Sequence, residues 1–213
     1  RSTLFPYTTL FRSQPLGRNG SGKTTLGKVL TGLIPCKDGR FVVAGSQVRQ
    51  KRLSDYAYFV MQEADHQLYK ESAVEELRLG NERTSDIDER IAGILDMLNL
   101  TDFAQHHPYA LSGGQKQRLT IGTAMASSKP IVVLDEPTSG LDWGNMCAVA
   151  QAINLLRESE RLVFVITHDI ELVDLTATRV LALAEGRIAD DFPLSSQAAL
   201  ERTRQIMLGG GLL

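Results

Sequence analysis

The sequence predicts an α/β fold built on a mostly parallel sheet, and three observations carry that prediction. Unbroken apolar runs at Tyr58–Met61, Ile131–Leu134, Leu162–Ile166 and Val180–Leu183 have the texture of strands buried on both faces. Helical stretches alternate with them, as strand–helix–strand crossovers require. A glycine-rich loop, Gly17-Arg18-Asn19-Gly20-Ser21-Gly22-Lys23-Thr24, runs directly into the helix-like Thr25–Leu30. With 213 residues, 43% of them hydrophobic, the chain can bury one large core with a subdomain. Its net charge of −2 supplies no polycation for nucleic acid. No apolar run reaches the length of a membrane span, and nothing after the first residues resembles a signal peptide.

Taken in order, the chain begins badly for this fold. A phosphate-binding loop needs a buried strand before it, yet Arg12 and Gln14 are polar and Pro15 cannot donate to a central ladder. Arg1 to Ser13 resembles translated short-read sequencing adaptor. These residues are read as an assembly artefact and set aside, with the native N-terminal strands truncated and genuine sequence resuming near Gln14 to Gly17. The first helix is expected to reach about Leu33, where Pro35 and Gly39 mark a turn. Phe41–Ala44 reads as a short strand and Tyr58–Met61 as another, ending at Gln62. From Glu63 to about Ser128 the apolar spacing is helical, with Ile91, Leu95 and Leu98 on one face. Strand Ile131–Leu134, a helix near Asn145 to Arg157, strand Leu162–Ile166, a helix over Ile170–Leu175, strand Val180–Leu183, a turn at Glu185-Gly186 and a short piece at Ile188 complete the series. Gly209 to Gly211 read as a loose tail. The expected division is a core of 14–62 and 129–213 around a helical subdomain of about 63–128.

The glycine-rich loop fits G-x-x-x-x-G-K-[ST] from Gly17 to Thr24. Glycines at Gly17, Gly20 and Gly22 let successive N–H groups, including those near Asn19 and Ser21, turn toward phosphate oxygens. The helix beginning near Thr25 aims its positive end at the same anion. Lys23 supplies a point charge for the β- and γ-phosphates, and the Thr24 hydroxyl is placed to ligate Mg²⁺. Ile131–Leu134 then ends in Asp135 and Glu136. A carboxylate at the end of a buried strand beside such a loop can hold Mg²⁺, which is the role expected of Asp135. Glu136, one residue on, can orient or deprotonate an attacking water. A second anion-binding helix start follows Leu111, where Ser112 can cap the helix and Gly113 and Gly114 free N–H groups ahead of Gln115. One nucleotide rarely needs two such sites from the same subunit.

That combination resembles the ABC ATPases, and the resemblance runs from Gly17 onward. It implies a P-loop NTPase core with a helical signature subdomain, and two subunits that sandwich ATP head to tail. Ser112, Gly113, Gly114 and Gln115 match the signature. Gln62 sits where the Q-loop glutamine contacts Mg²⁺ and the attacking water. Ser139-Gly140-Leu141-Asp142 matches the D-loop, with Asp142 reaching the partner site, and His168 matches the switch histidine at the γ-phosphate. The upstream aromatic that stacks on adenine is missing. Gln62-Glu63-Ala64-Asp65-His66-Gln67-Leu68-Tyr69 is similar to the corresponding segment of energy-coupling-factor transporter ATPases, which import vitamins and metal ions, and is expected to dock a membrane partner through Leu68 and Tyr69. His66, His106 and His107 read as surface or partner-facing, and Cys36 and Cys147 as reduced thiols of a cytosolic protein. The implied protein is an ATPase using ATP and Mg²⁺. It pairs with a second ABC domain and an integral membrane subunit, and lies peripherally on the cytoplasmic face of the membrane. Two other readings fit the motifs. A soluble ABC ATPase of DNA ends or ribosomes usually carries a long coiled coil, an extra arm or a basic linker, which this chain lacks. A non-catalytic ATP-gated dimerisation module would be expected to lose Glu136 or His168.

Overall fold

The computed structural model describes residues 13–16, 21–81 and 86–208. Eight strands and seven helices occur among them: β1 Ser13–Leu16, α1 Lys23–Leu30, β2 Phe41–Val43, β3 Ser46–Val48, β4 Ala57–Val60, α2 Ala73–Arg78, α3 Ile87–Met97, α4 Gly113–Ala126, β5 Ile131–Asp135, α5 Trp143–Glu158, β6 Leu162–Ile166, α6 Ile170–Thr176, β7 Arg179–Ala184, β8 Arg187–Pro193 and α7 Gln197–Met207. Six strands form one sheet in the order β4-β5-β6-β1-β7-β8. Its first four pairings are parallel, and β8 closes the edge antiparallel to β7.

The central strands carry the continuous apolar runs for a simple reason. Val132, Val133 and Leu134 of β5, and Val163 and Val165 of β6, are fully buried. Helices cover both faces of such a sheet, so neither face can afford polar side chains. On one face α1 packs close, because Gly27 stands where a β-carbon would sit only 3.0 Å from Phe59, Val133 and Ile166. On the other, β4, β5 and β6 share a core cluster with α2, α3, α4 and α5. Within α4 every residue from Gln117 to Ala126 is buried, polar ones included. Thr120 and Thr123 remain satisfied there by donating to carbonyls three residues back, at 2.8 and 2.7 Å.

Three expectations are corrected. Ser13–Leu16 does form a strand, and it lies between β6 and β7. All four of its residues pair with β7 but only Ser13 pairs with β6, so a proline that donates nothing is accommodated where one ladder is already short. The first helix stops at Leu30 rather than near Leu33, because Gly32 takes a φ of 79° and turns the chain. The region after Ile188 is more ordered than the sequence suggested. β8 runs seven residues and α7 follows, capped by Ser196, with Leu200 and Ile206 buried. A third short strand, β3, returns antiparallel on β2 through Ala44 and Gly45, both at positive φ. Gly209 to Gly211, Gly17, Asn19, Gly20 and residues 1–12 lie outside the described residues.

Candidate active site

Because β4, β5, β6 and β1 run parallel, their C-terminal ends share one edge of the sheet, the place where open α/β sheets bind ligands. Four groups of predicted residues converge there by topology alone: Gln62 just past β4, Asp135 and Glu136 at the end of β5, His168 past β6, and the start of α1 past β1.

The start of α1 is shaped for an anion. Gly22, its N-cap, has a φ of 97° that a side chain would resist, and no side chain caps the helix. Its first N–H groups are therefore not claimed by a cap, and Ser21 adds a buried hydroxyl without any hydrogen-bond partner. Burial pulls the Lys23 ammonium below its ordinary value, while Glu136 and Asp135 act in the opposite direction. The Thr24 hydroxyl donates to Asp135 Oδ1 at 3.2 Å. Thr25 continues the helix on its exposed side. Burial raises the Asp135 carboxyl, and the hydrogen bond from Thr24 opposes that rise. Asp135 is thus an acid kept desolvated beside a lysine and a hydroxyl, a donor set that suits a divalent cation bridged to phosphate.

Glu136 takes a left-handed φ of 48°, unusual for a side-chain-bearing residue, and its N–H is tied to the Ile166 carbonyl at 2.8 Å. The kink turns its carboxylate toward β6, where Oε2 meets His168 Nδ1 at 2.8 Å and the His168 N–H at 3.4 Å. The His168 side chain remains mostly exposed. Asp169 caps α6 through the Glu171 and Leu172 N–H groups and accepts from Thr138, pinning the loop beyond β5 to the loop beyond β6.

The second predicted anion site lies at the start of α4. Ser112 and Gln115 form a reciprocal capping box, at 3.3 and 2.8 Å. The Ser112 oxygen accepts in that box, which leaves its O–H as a donor, and Gly113 and Gly114 flank it without side chains. A β-carbon on Gly114 would stand 3.2 Å from Leu141, so this helix start packs closely on the D-loop segment. Asp142 caps α5, accepting from the Asn145 backbone and side chain at 2.9 and 2.6 Å. Those bonds, led by the backbone one, hold its carboxyl below its ordinary range.

Sequence reasoning missed the residues that shape the segment after Gln62. Gln67 accepts from Met61 N–H at 3.0 Å and donates to the Phe59 carbonyl and the Tyr58 hydroxyl, folding the segment back on β4. Glu76 is buried and accepts from the Tyr69 and Lys70 N–H groups. The signal available was a glutamine and a glutamate in a helical region with no evident solvent role. One expectation fails here. Leu68 is a core residue at 3% exposure, turned inward by these same clamps, whereas Tyr69 is 67% exposed. A cavity of about 440 Å³ opens beside the segment, lined by Tyr58, Met61, Gln67, Tyr69 and Lys129 among others. Among the described residues no helix is long and apolar enough to cross a membrane.

Comparisons with known proteins place the chain in a family. The ABC transporter family model matches residues 14–139. An ABC transporter ATP-binding protein of Treponema denticola is 39% identical over 87% of this chain, but the match spans 38% of that relative's length. One from Pyrococcus furiosus is 36% identical over 81% of this chain and 69% of its own. The dimeric ATP-binding cassette MJ0796, solved in a post-hydrolysis state bound to ADP and Pi, superposes with a TM-score of 0.75 at 27% identity, over 87% of this chain and 86% of that one. The family model spans more than half of the chain, and the chain belongs to the ABC transporter ATP-binding proteins.

Proposed function

We propose that this chain is the ATP-hydrolysing subunit of a membrane importer of the energy-coupling-factor type, moving a vitamin or a metal ion. The observation that carries the catalytic part is the meeting of Thr24 with Asp135 and of Glu136 with His168 at one sheet edge, above the start of α1. The main chain at Ser21 and Gly22, the orphaned Ser21 hydroxyl, and Lys23, Thr24 and Thr25 receive the phosphates. Gly17, Asn19 and Gly20, which lie outside the described residues, are assigned to the same phosphate-binding motif from the sequence. Thr24, Asp135 and Gln62 would hold Mg²⁺, which when bound neutralises phosphate charge. Glu136 takes the proton of the attacking water. His168, held against Glu136 Oε2, keeps that carboxylate aimed and faces the γ-phosphate. Ser112, Gly113, Gly114 and Gln115, with Asp142, serve the nucleotide of a second ABC domain. The Ser112 O–H, which the capping box does not use, and the two glycine N–H groups support that role.

The importer assignment rests on the segment from Gln62 to Tyr69. It joins the nucleotide edge to the helical layer, and Tyr69 stands exposed at the rim of the 440 Å³ cavity, a surface suited to an integral membrane subunit. The chain would then sit peripherally on the cytoplasmic face of the membrane. The test is steady-state phosphate release with Mg²⁺ and ATP. Glu136→Gln should retain ATP binding, slow hydrolysis by about 10²–10⁴-fold, the contribution of a positioned base, and accumulate ATP-bound dimers. Undiminished hydrolysis in Glu136→Gln refutes the catalytic assignment, and failure to co-purify with an integral membrane protein refutes the importer one.

A further inference from the structure

We propose that Lys116 and Asp65 are a positioning pair that presets the signature turn for the second ABC domain, by fastening the start of α4 to the segment after Gln62. The inference rests on the dimeric reading above. Lys116 directly follows the four signature residues. Its ammonium meets Asp65 Oδ1 at 2.6 Å, and its side chain is only 15% exposed, lying over the Tyr109 ring at 5.5 Å. A lysine held so fully, one residue past a turn that must present Ser112, Gly113 and Gly114, restricts how that turn can tilt.

Among the described residues no other salt bridge joins α4 to the Gln62–Tyr69 segment. Two turns further along α4, Thr123 accepts from the Tyr58 hydroxyl at 3.0 Å, and Tyr58 is held by Gln67. That contact fixes the middle of α4 to β4, and Lys116 ties the first turn to the segment after Gln62. On the opposite side Arg118 donates to the Leu98 carbonyl at 2.7 Å and to Asn145, which in turn binds Asp142. The start of α4 is thus braced between the Gln62–Tyr69 segment and the D-loop. The brace toward the D-loop is buried, whereas the brace toward Asp65 is half open and can be broken without opening the core. A displacement of the Gln62–Tyr69 segment would therefore reach the signature turn through this contact.

The experiment measures ATP-dependent dimerisation by sedimentation in the Glu136→Gln background, alongside binding of a fluorescent ATP analogue by the monomer. Lys116→Met and Asp65→Asn should weaken dimerisation about 5-fold and at most about 30-fold, because a symmetric dimer contains the pair twice, which corresponds to about 1–2 kcal/mol in all. Analogue binding should stay unchanged. Lys116→Arg, and the exchange Asp65→Lys with Lys116→Asp, should recover dimerisation to within about twofold of the parent, where a lysine needed only for packing would not be rescued by the exchange. A change under about twofold in both single variants, or an exchange that regains thermal stability without regaining dimerisation, overturns the proposal. If Lys116→Met fails to fold, Asp65→Asn and Lys116→Arg carry the comparison. A parent that forms no ATP-dependent dimer overturns the dimeric reading itself, and the pair's role with it.

Discussion

Gly27→Ala tests how the nucleotide site depends on packing behind it. Gly27 lies in the middle of α1, three residues after Thr24, where alanine alone would favour the helix by about 1 kcal/mol. The added methyl would stand 3.0 Å from Phe59 Cε2, Val133 Cγ1 and Ile166 Cδ1 at once. These belong to three different strands and are 8%, 0% and 1% exposed, so none can turn away without disturbing the sheet. Carbon atoms rest at about 3.5–4.0 Å, so α1 must lift by about 0.5 Å or more. Overpacking of this kind costs about 1–3 kcal/mol, more than the helix gains, and a net loss of about 1 kcal/mol would lower Tm by about 2–4 °C. The lift also stretches the Thr24–Asp135 hydrogen bond from 3.2 Å past the limit of such bonds. Gly27→Ala should therefore lose both thermal stability and ATP hydrolysis. Differential scanning calorimetry and phosphate release measure the two effects. A raised Tm with full hydrolysis would show that the sheet yields and that the argument from three-sided contact is mistaken.

Three further outcomes are expected. Gln67→Ala removes three hydrogen bonds from the turn after Gln62 and should cost about 1–3 kcal/mol, read from urea unfolding; an unchanged midpoint would contradict its clamping role. Asp135→Asn should stabilise the nucleotide-free protein at neutral pH. A carboxyl whose folded pKa is raised by burial contributes stability only below its ordinary value near 3.8 and loses it as pH rises through the higher folded value, a loss that asparagine avoids while still accepting from Thr24. Equal melting of both proteins at pH 5 and pH 8 would refute this. Leu68→Ala should destabilise by about 2–5 kcal/mol as a core truncation, whereas Tyr69→Ala should leave Tm within about 2 °C and lower transport per ATP hydrolysed; a Tyr69→Ala protein with unaltered coupling would remove the docking assignment.

Much of this molecule is decided by local sequence. The runs Ile131–Leu134 and Leu162–Ile166, which nothing polar interrupts, read as doubly covered strands, and Glu185-Gly186 reads as a tight turn. The motif from Gly17 to Thr24, and Asp135 and Glu136 after the run Ile131–Leu134, are legible from their spacing alone. What only the tertiary structure decides is which surfaces these residues face and what holds them. Leu68 and Tyr69 are neighbours of similar apolar character, and it is the hydrogen bonds of Gln67 and Glu76 that send one inward and leave the other outside. Ser13–Leu16 reads as a poor strand, yet it fills the slot between β6 and β7, because a gap in a buried sheet leaves two rows of backbone groups unpaired. Glu136 and His168 are 32 positions apart, and the parallel register of β5 and β6 brings them to 2.8 Å. Spacing along a chain encodes elements and motifs; orientation and long-range contact arise from pairing between elements, which no single segment contains.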